Sequence, residues 1–221
     1  GFPLVHHLDE LWPARVRGRL GKAGGGALIA TAPLLFLALL FDALIGEPRW
    51  LWSRIRHPVV IMGQIIAACD ARFNSGEHRL LKGILVMIAL SVGAVALGFA
   101  IAALPLGWLL QFIAATVLLA QRSLVDHVVA VADGLRRSLA AGRQAVSMIV
   151  GRDTAPLDEH AVARAAIESA AENVSDGVIA PAFWFAIAGL PGILIYKVVN
   201  TADSMIGYRT PKHLEFGWAA A

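Results

Sequence analysis

The sequence predicts an all-α fold, a polytopic helical membrane protein with a re-entrant or broken helix over residues 178–199. The chain is 57% hydrophobic and 16% charged, with a mean hydropathy of +0.66. Soluble domains are about 45–50% apolar and about 25% charged. Several uncharged runs approach the ~20 residues that cross a bilayer as a helix. One of these runs is interrupted in its middle by Gly189-Leu190-Pro191-Gly192, which predicts the break.

Composition also limits the partners and the domain organisation. The formal charge of +3 is modest and suggests loops that face anionic lipid or phosphorylated substrates. Basic and aromatic residues are not interleaved as in single-strand binders, so we expect no nucleic acid. Cys69 is the one cysteine in the sequence, which excludes an internal disulfide framework. We expect a poorly ordered basic tail over residues 1–25 and one helical membrane domain over residues 26–221.

The first half of the chain contains three apolar segments. Residues 26–45 are marginal in length for a span, whereas residues 83–103 carry no charge and predict a transmembrane helix. A tight connection at Pro105-Leu106-Gly107 leads to a shorter segment, so residues 83–120 should form a hairpin. The flanking loops, 46–82 and 121–176, are rich in Arg, and the positive-inside rule predicts that they lie in the cytoplasm. The tail before the first segment is also basic, so the topology of that segment stays open.

A single helix is predicted over residues 121–150, and the next helix is predicted over 158–173, ending at Ser175-Asp176-Gly177. The second of these helices carries a polar stripe at i, i+4 spacing. The stripe consists of His160, Arg164, Glu168 and Glu172. Two interpretations are open. Arg164 can offset the repulsion between the glutamates on a solvated face, or the two glutamates can bind a divalent cation.

A second polar block follows the broken helix. Lys197 and Arg209 are suited to phosphate, Lys as a point charge and Arg as a fork. Asn200 and Asp203 supply oxygen ligands for a hard cation such as Mg²⁺. The alternative is a helix cap, which explains one or two of these residues. A hairpin at the break would return this block to the side of Glu172 and Asp176, whereas one straight span would separate the two blocks.

Several motifs together resemble those of the integral-membrane adenosylcobinamide-phosphate synthases of cobalamin biosynthesis, the CobD/CbiB family. The motifs are Asp42 with Gly46-Glu47-Pro48, His57-Pro58-Val59 with Met62-Gly63, Gly151-Arg152-Asp153, Glu168-Ser169 with Glu172-Asn173, Ser175-Asp176-Gly177, Pro181, Tyr196-Lys197 through Gly207-Tyr208-Arg209, and Phe216-Gly217-Trp218. The resemblance extends from about residue 27 to the end, and residues 1–25 do not match. Because the family pattern continues further, we expect a C-terminally truncated form.

The resemblance implies a ligase that uses ATP and Mg²⁺ to join a corrinoid carboxylate to 1-amino-2-propanol or its O-phosphate as an amide. Site residues are assigned by chemistry at the matching positions. The expected catalytic residues are Glu168, Glu172, Asp176 and His57; the cofactor-binding residues are Arg152, Lys197, Asn200 and Arg209; and the metal ligands are Glu172, Asp176 and Asp203. His57 is the weakest of these candidates, because a lone His before Pro is more often a structural cap.

Two other functions are compatible with the same features. Broken membrane helices with acidic flanks also build ion sites in transporters and channels. A non-catalytic scaffold could hold other corrinoid-pathway enzymes at the lipid bilayer. The carboxylates flank residues 178–199 and are absent from the centre of that segment, which favours a site at a cytoplasmic mouth over an ion path at the bilayer midplane.

Overall fold

The computed structural model describes residues 31–46 and 49–221. This part of the chain is helical and contains no strand, which confirms the all-α prediction. The tail predicted over residues 1–25 lies outside the described residues. The helices are α1 (Thr31–Ile45), α2 (Arg49–Trp52), α3 (Pro58–Phe73), α4 (Arg79–Ala102), α5 (Gly107–Leu118), α6 (Gln121–Arg137), α7 (Leu139–Val146), α8 (Glu159–Val174) and α9 (Ala180–Ile206), with a π-helical turn (Ser175–Ile179) between the last two.

Three helical stretches in the described residues are long and apolar enough to cross a membrane. They are Arg79–Ala102, Gly107–Arg137 and Glu159–Ile206, and α1 is apolar but shorter. This pattern fits a membrane protein. The predicted hairpin is present, since α4 and α5 pack against each other around the 103–106 connection.

The prediction of one helix over residues 121–150 is wrong. The chain leaves the helix at Ser138, whose backbone is extended (φ −170°, ψ 157°), and begins α7. The Ser138 hydroxyl oxygen accepts a hydrogen bond of 3.1 Å from the Ala141 N–H and so caps α7. Helices α6, α7 and α8 then pack together around Val131, Val146 and Val162.

Helix α8 begins where the sequence predicts, but it does not end at the predicted residues. Asp158 caps it, accepting a hydrogen bond of 2.7 Å from the Ala161 N–H. Val162 and Ala165, which lie off the polar stripe, are buried. The predicted stop at Ser175-Asp176-Gly177 is wrong, because these residues form the π-helical turn that continues into α9. One extra residue is accommodated in that turn without ending the helix.

Helix α9 reverses direction at Gly189, which confirms the broken helix. Gly189 has φ 61° and ψ −146°, a region that is essentially restricted to glycine. Beyond it, the Asn200 side chain contacts Asp176, 24 residues earlier. A straight helix would separate two such residues by about 36 Å, so α9 consists of two arms, 180–188 and 190–206. The break is shorter than predicted, since Pro191 starts the second arm, where its missing N–H costs nothing.

The tip of this hairpin is held by two neighbouring helices. The Thr31 hydroxyl of α1 donates a hydrogen bond of 2.7 Å to the carbonyl of Ala186, near the end of the first arm. Gly98 of α4 lies so close to Pro191 that an added Cβ would stand 2.6 Å from the proline Cα. The tip is therefore packed into protein, the condition under which irregular backbone is tolerated at membrane depth.

Candidate functional site

The hairpin brings the two polar blocks of the sequence together. Asp176 lies in the π-helical turn and Asn200 lies near the end of the second arm, and the Asn200 side-chain amide donates a hydrogen bond of 3.2 Å to the Asp176 carboxylate. Lys197 lies one turn before Asn200 and is buried. Isolated π-helical turns occur frequently at functional sites, and this one carries the carboxylate at which the blocks meet.

Arg152 and Glu168 form an ion pair beside this contact along α8. The guanidinium stands 3.1 Å from the carboxylate, and each side chain is more than half exposed. The loop that carries Arg152 is fixed to α8, because the Ser169 hydroxyl donates a hydrogen bond of 2.7 Å to the Ile149 carbonyl. Asn173 in turn donates to the Ser169 carbonyl and hydroxyl. The predicted phosphate-binding and catalytic groups on α8 and its preceding loop therefore lie side by side.

The remaining predicted residues of the two blocks are exposed. Glu172, Asp203 and Arg209 make no ion pair with any residue that the structure describes. Within the described ranges there is also no group of three or more His, Cys, Asp or Glu side chains arranged to hold a metal ion. Metal binding by Glu172, Asp176 and Asp203 stays a prediction.

His57 caps a helix, which is the structural role that the sequence suggested as the alternative to a catalytic one. It is the N-cap of α3, and its Nδ1 accepts a hydrogen bond of 3.2 Å from the Val59 N–H. Its ring packs edge-on against Trp52, with 4.5 Å between the ring centroids. The capping contact explains His57 before Pro58, and the catalytic role of His57 stays a prediction.

The sequence left the role of Asp42 open between structural and catalytic, and its contacts support the site structurally. Asp42 is fully buried at the end of α1, and its carboxylate accepts a hydrogen bond of 2.7 Å from the Gln121 N–H at the start of α6. The adjacent Ala120 N–H donates to the Gly177 carbonyl over 3.1 Å. The start of α6 is thus tied both to α1 and to the π-helical turn. The signal in the sequence that could have indicated this role was an acidic residue at the end of an apolar run.

A second network holds the segment after Arg209. The Asp70 carboxylate of α3 accepts hydrogen bonds from Lys212 at 2.6 Å and from Asn74 at 2.7 Å, and His213 lies 3.4 Å away. Arg79 donates to the side chain of Asn74 and to the backbone carbonyl of Lys212. Burial raises the pKa of Asp70, but the hydrogen bonds from Lys212 and Asn74, the charge of Lys212 and the nearby His213 ring outweigh it and hold the pKa below its ordinary value.

Comparison with known proteins identifies the family. A family model described as CobD/Cbib protein matches residues 35–221. The chain belongs to the CobD/Cbib family. This match includes the hairpin, both polar blocks and the Asp70 network.

Curated relatives of the CobD/Cbib family agree with that assignment. "Cobalamin biosynthesis protein CobD" of Rhizobium meliloti (strain 1021) is 56% identical over 198 residues, which are 85% of this chain and 61% of the relative. Proteins of the same name are 48% identical in Brucella anthropi, over 85% of this chain and 61% of the relative, and 48% identical in Rhodobacter capsulatus, over 86% and 62%. The chain thus spans about three fifths of the length of these relatives. No solved structure matches it.

Proposed function

We propose that the protein is an ATP-dependent ligase of cobalamin biosynthesis. It would join adenosylcobyric acid to 1-amino-2-propanol or its O-phosphate, giving adenosylcobinamide or its phosphate. Membership of the CobD/Cbib family supports the pathway. The observation that carries the proposal is the contact between Asp176 and Asn200, because it joins the two polar blocks into one group of acids, amides and cations.

The reaction explains why both cations and acids are needed. A carboxylate does not react with an amine unaided, so ATP would first convert the carboxylate to an acyl phosphate. Arg152, Lys197 and Arg209 supply positive charge for the phosphates, and Arg is suited to bidentate contacts. Charge stabilisation of this kind is usually the largest catalytic term. A base is then required to deprotonate the ammonium of the second substrate.

The donor set is compatible with Mg²⁺. Mg²⁺ is bound through one or two carboxylates together with substrate phosphates, and it does not require an all-protein cage. Glu172, Asp176 and Asp203 are exposed carboxylates of this kind. One or two of them, together with substrate phosphates, would hold the ion, which when bound neutralises charge on the phosphates.

The position of the acids favours a ligase over a transporter. In the arms of the hairpin, residues 180–199 contain no Asp or Glu, whereas transporters place coupling-ion sites near the bilayer midplane. Asp176 and Asp203 instead lie beyond the apolar part of each arm. Such a site would be open to bulky soluble substrates, and the Arg-rich loops favour the cytoplasmic face of the bacterial inner membrane.

The proposal is tested by an assay of amide formation with the purified protein in detergent. Adenosylcobyric acid, ATP and either amine are supplied, with and without Mg²⁺. We expect Mg²⁺-dependent amide and ADP, and a loss of at least about 100-fold in Glu172→Gln. Glu159→Gln, an exposed acid in the first turn of the same helix, should retain activity. Absence of product and of ATP consumption with both amines would refute the ligase and leave the scaffold, whereas full activity of Glu172→Gln would show that Glu172 has no essential part in the reaction.

A further inference from the structure

A cavity lies beside the site, between α6, the loop after α7 and the end of α8. Its volume is about 490 Å³, and its lining includes Ser123, His127, Met148, Gly151, Asn173 and Gly177. Gly151 directly precedes Arg152 and Gly177 directly follows Asp176. The cavity therefore adjoins the positions of two residues assigned to the reaction, although the sequence pattern gave no sign of it.

His127 is the titratable side chain in the lining of this cavity. Its Nδ1 stands 2.7 Å from the Ser123 carbonyl oxygen. A carbonyl oxygen only accepts hydrogen bonds, so Nδ1 carries the proton of the neutral ring and Nε2 carries the lone pair. The bond to Ser123 thus fixes the tautomer and orients the ring, as carbonyl partners do for functional histidines. The residue is exposed and borders the cavity.

The chemistry of the cavity suits a small cation. None of the residues that line it is Lys or Arg, so a triphosphate would find no counter-charge inside. An ammonium group would meet the Nε2 lone pair, and the lining residue Gly177 directly follows Asp176, which carries a carboxylate. Its volume is in the range of small-molecule pockets and is far too small for a whole corrinoid. Arg152 beside Gly151 could receive a single phosphate at the mouth.

We propose that this cavity binds the amine donor and that His127 Nε2 removes a proton from its ammonium group. The inference rests on the proposed ligase function. In the step concerned, the ammonium gives one proton to Nε2, and the freed nitrogen lone pair attacks the acyl carbon. The C–N bond forms as the C–O bond to phosphate breaks. The nitrogen loses its second proton, so the products are the amide, HPO₄²⁻ and one net proton, and nothing is oxidised or reduced.

The test separates activation of the acid from attack by the amine. Hydroxylamine is unprotonated at neutral pH and traps acyl phosphates as hydroxamates without a general base. In His127→Gln we expect amide formation from either amino alcohol to fall about 10²–10⁴-fold. Hydroxamate formation from adenosylcobyric acid and ATP should stay within about twofold of wild type, which also shows that the variant is folded. His78→Gln, an exposed histidine before α4, is the matched control and should keep both activities.

Three results would overturn the inference. Amide formation by His127→Gln at the wild-type rate, at low and at saturating amine, would show that Nε2 is not the base. An equal loss of amide and hydroxamate would place the role of His127 in activation or in folding. If the wild-type protein forms neither product, the proposed ligase function fails first, and this inference fails with it.

Discussion

Asn200 donates a hydrogen bond of 3.2 Å to Asp176, although 24 residues separate them in the chain. The contact exists because α9 turns back at Gly189 and because the π-helical turn extends α8 into the first arm. Local backbone geometry at two points therefore decides which side chains can act together. Neither polar block has more than two carboxylates within one helical turn. A site with three or more acidic and amide side chains therefore requires both blocks.

The hairpin makes a direct prediction about membrane topology. Ser175 and Ser204 are exposed residues next to the two blocks. In a Cys69→Ala background, Ser175→Cys and Ser204→Cys should both react with an impermeant maleimide from the cytoplasmic face. Leu104→Cys, at the opposite end of α4, should react only from the other face. Labelling of positions 175 and 204 from opposite faces would contradict the hairpin.

Gly189→Ala tests the conformation at the turn itself. A side chain at φ 61° and ψ −146° costs about 1–3 kcal/mol. The added Cβ would also stand 3.3 Å from Gln111 Oε1, a side-chain end that can move. We expect the free energy of unfolding in mixed micelles to fall by about that amount. We also expect ligase activity to be lost under conditions in which the variant is still folded, because Asp176 and Asn200 separate.

The control for Gly189→Ala is Gly93→Ala. Gly93 lies inside α4, and an added Cβ there meets nothing within 4 Å. Alanine should raise stability by up to about 1 kcal/mol because it favours helix more than glycine does. Equal effects of the two substitutions would show that the φ of Gly189 does not matter for the fold.

Physical reasons explain which features the sequence could predict. The hairpin at 189 was predictable because Gly and Pro interrupt an otherwise continuous apolar run. The start of α8 was predictable because Asp158 is a good cap. The break at Ser138 was missed, since it contains no Gly or Pro and depends on the packing of α7 against α6 and α8. The residues of the π-helical turn were predicted to end the helix, because Ser, Asp and Gly favour turns and caps locally.

Long-range contacts account for the other omissions. The roles of Asp42 and Asp70 depend on partners 79 and 142 residues away in the chain. No helical or strand period relates residues at such distances. His127 escaped notice for a related reason, since its cavity is assembled from three separate segments. The parts of the site that lie on one helix were therefore accessible from sequence, and the parts assembled by packing were not.

The Arg152–Glu168 ion pair should matter for activity and hardly at all for stability. Both side chains are more than half exposed, and exposed pairs contribute about 0–1 kcal/mol. We expect Arg152→Gln to lower kcat/KM for ATP by at least about 10-fold while unfolding changes by less than about 1 kcal/mol. Arg136→Gln, which breaks another exposed pair, with Asp133, should change neither quantity. A large loss of stability in Arg152→Gln alone would assign the pair a structural role.

Asp70→Asn should destabilise the protein in a pH-dependent manner. The Asp70 carboxylate is nearly buried and accepts charge-assisted hydrogen bonds from Lys212 and Asn74, and we expect a cost of about 1–2 kcal/mol at pH 7 because Lys212 is itself exposed. The folded state lowers the pKa of Asp70 below 3.8, so the unfolded chain takes up the proton first as the pH falls. The stabilisation is therefore complete well above pH 3.8 and is lost as the pH falls through the folded-state pKa.

The difference in unfolding free energy between wild type and Asp70→Asn, measured from pH 7 down to about pH 3, should shrink toward the acid end. Asp133→Asn, in an exposed pair, should show a small and nearly constant difference, and a constant difference for Asp70→Asn would show that its charge is not what stabilises the network.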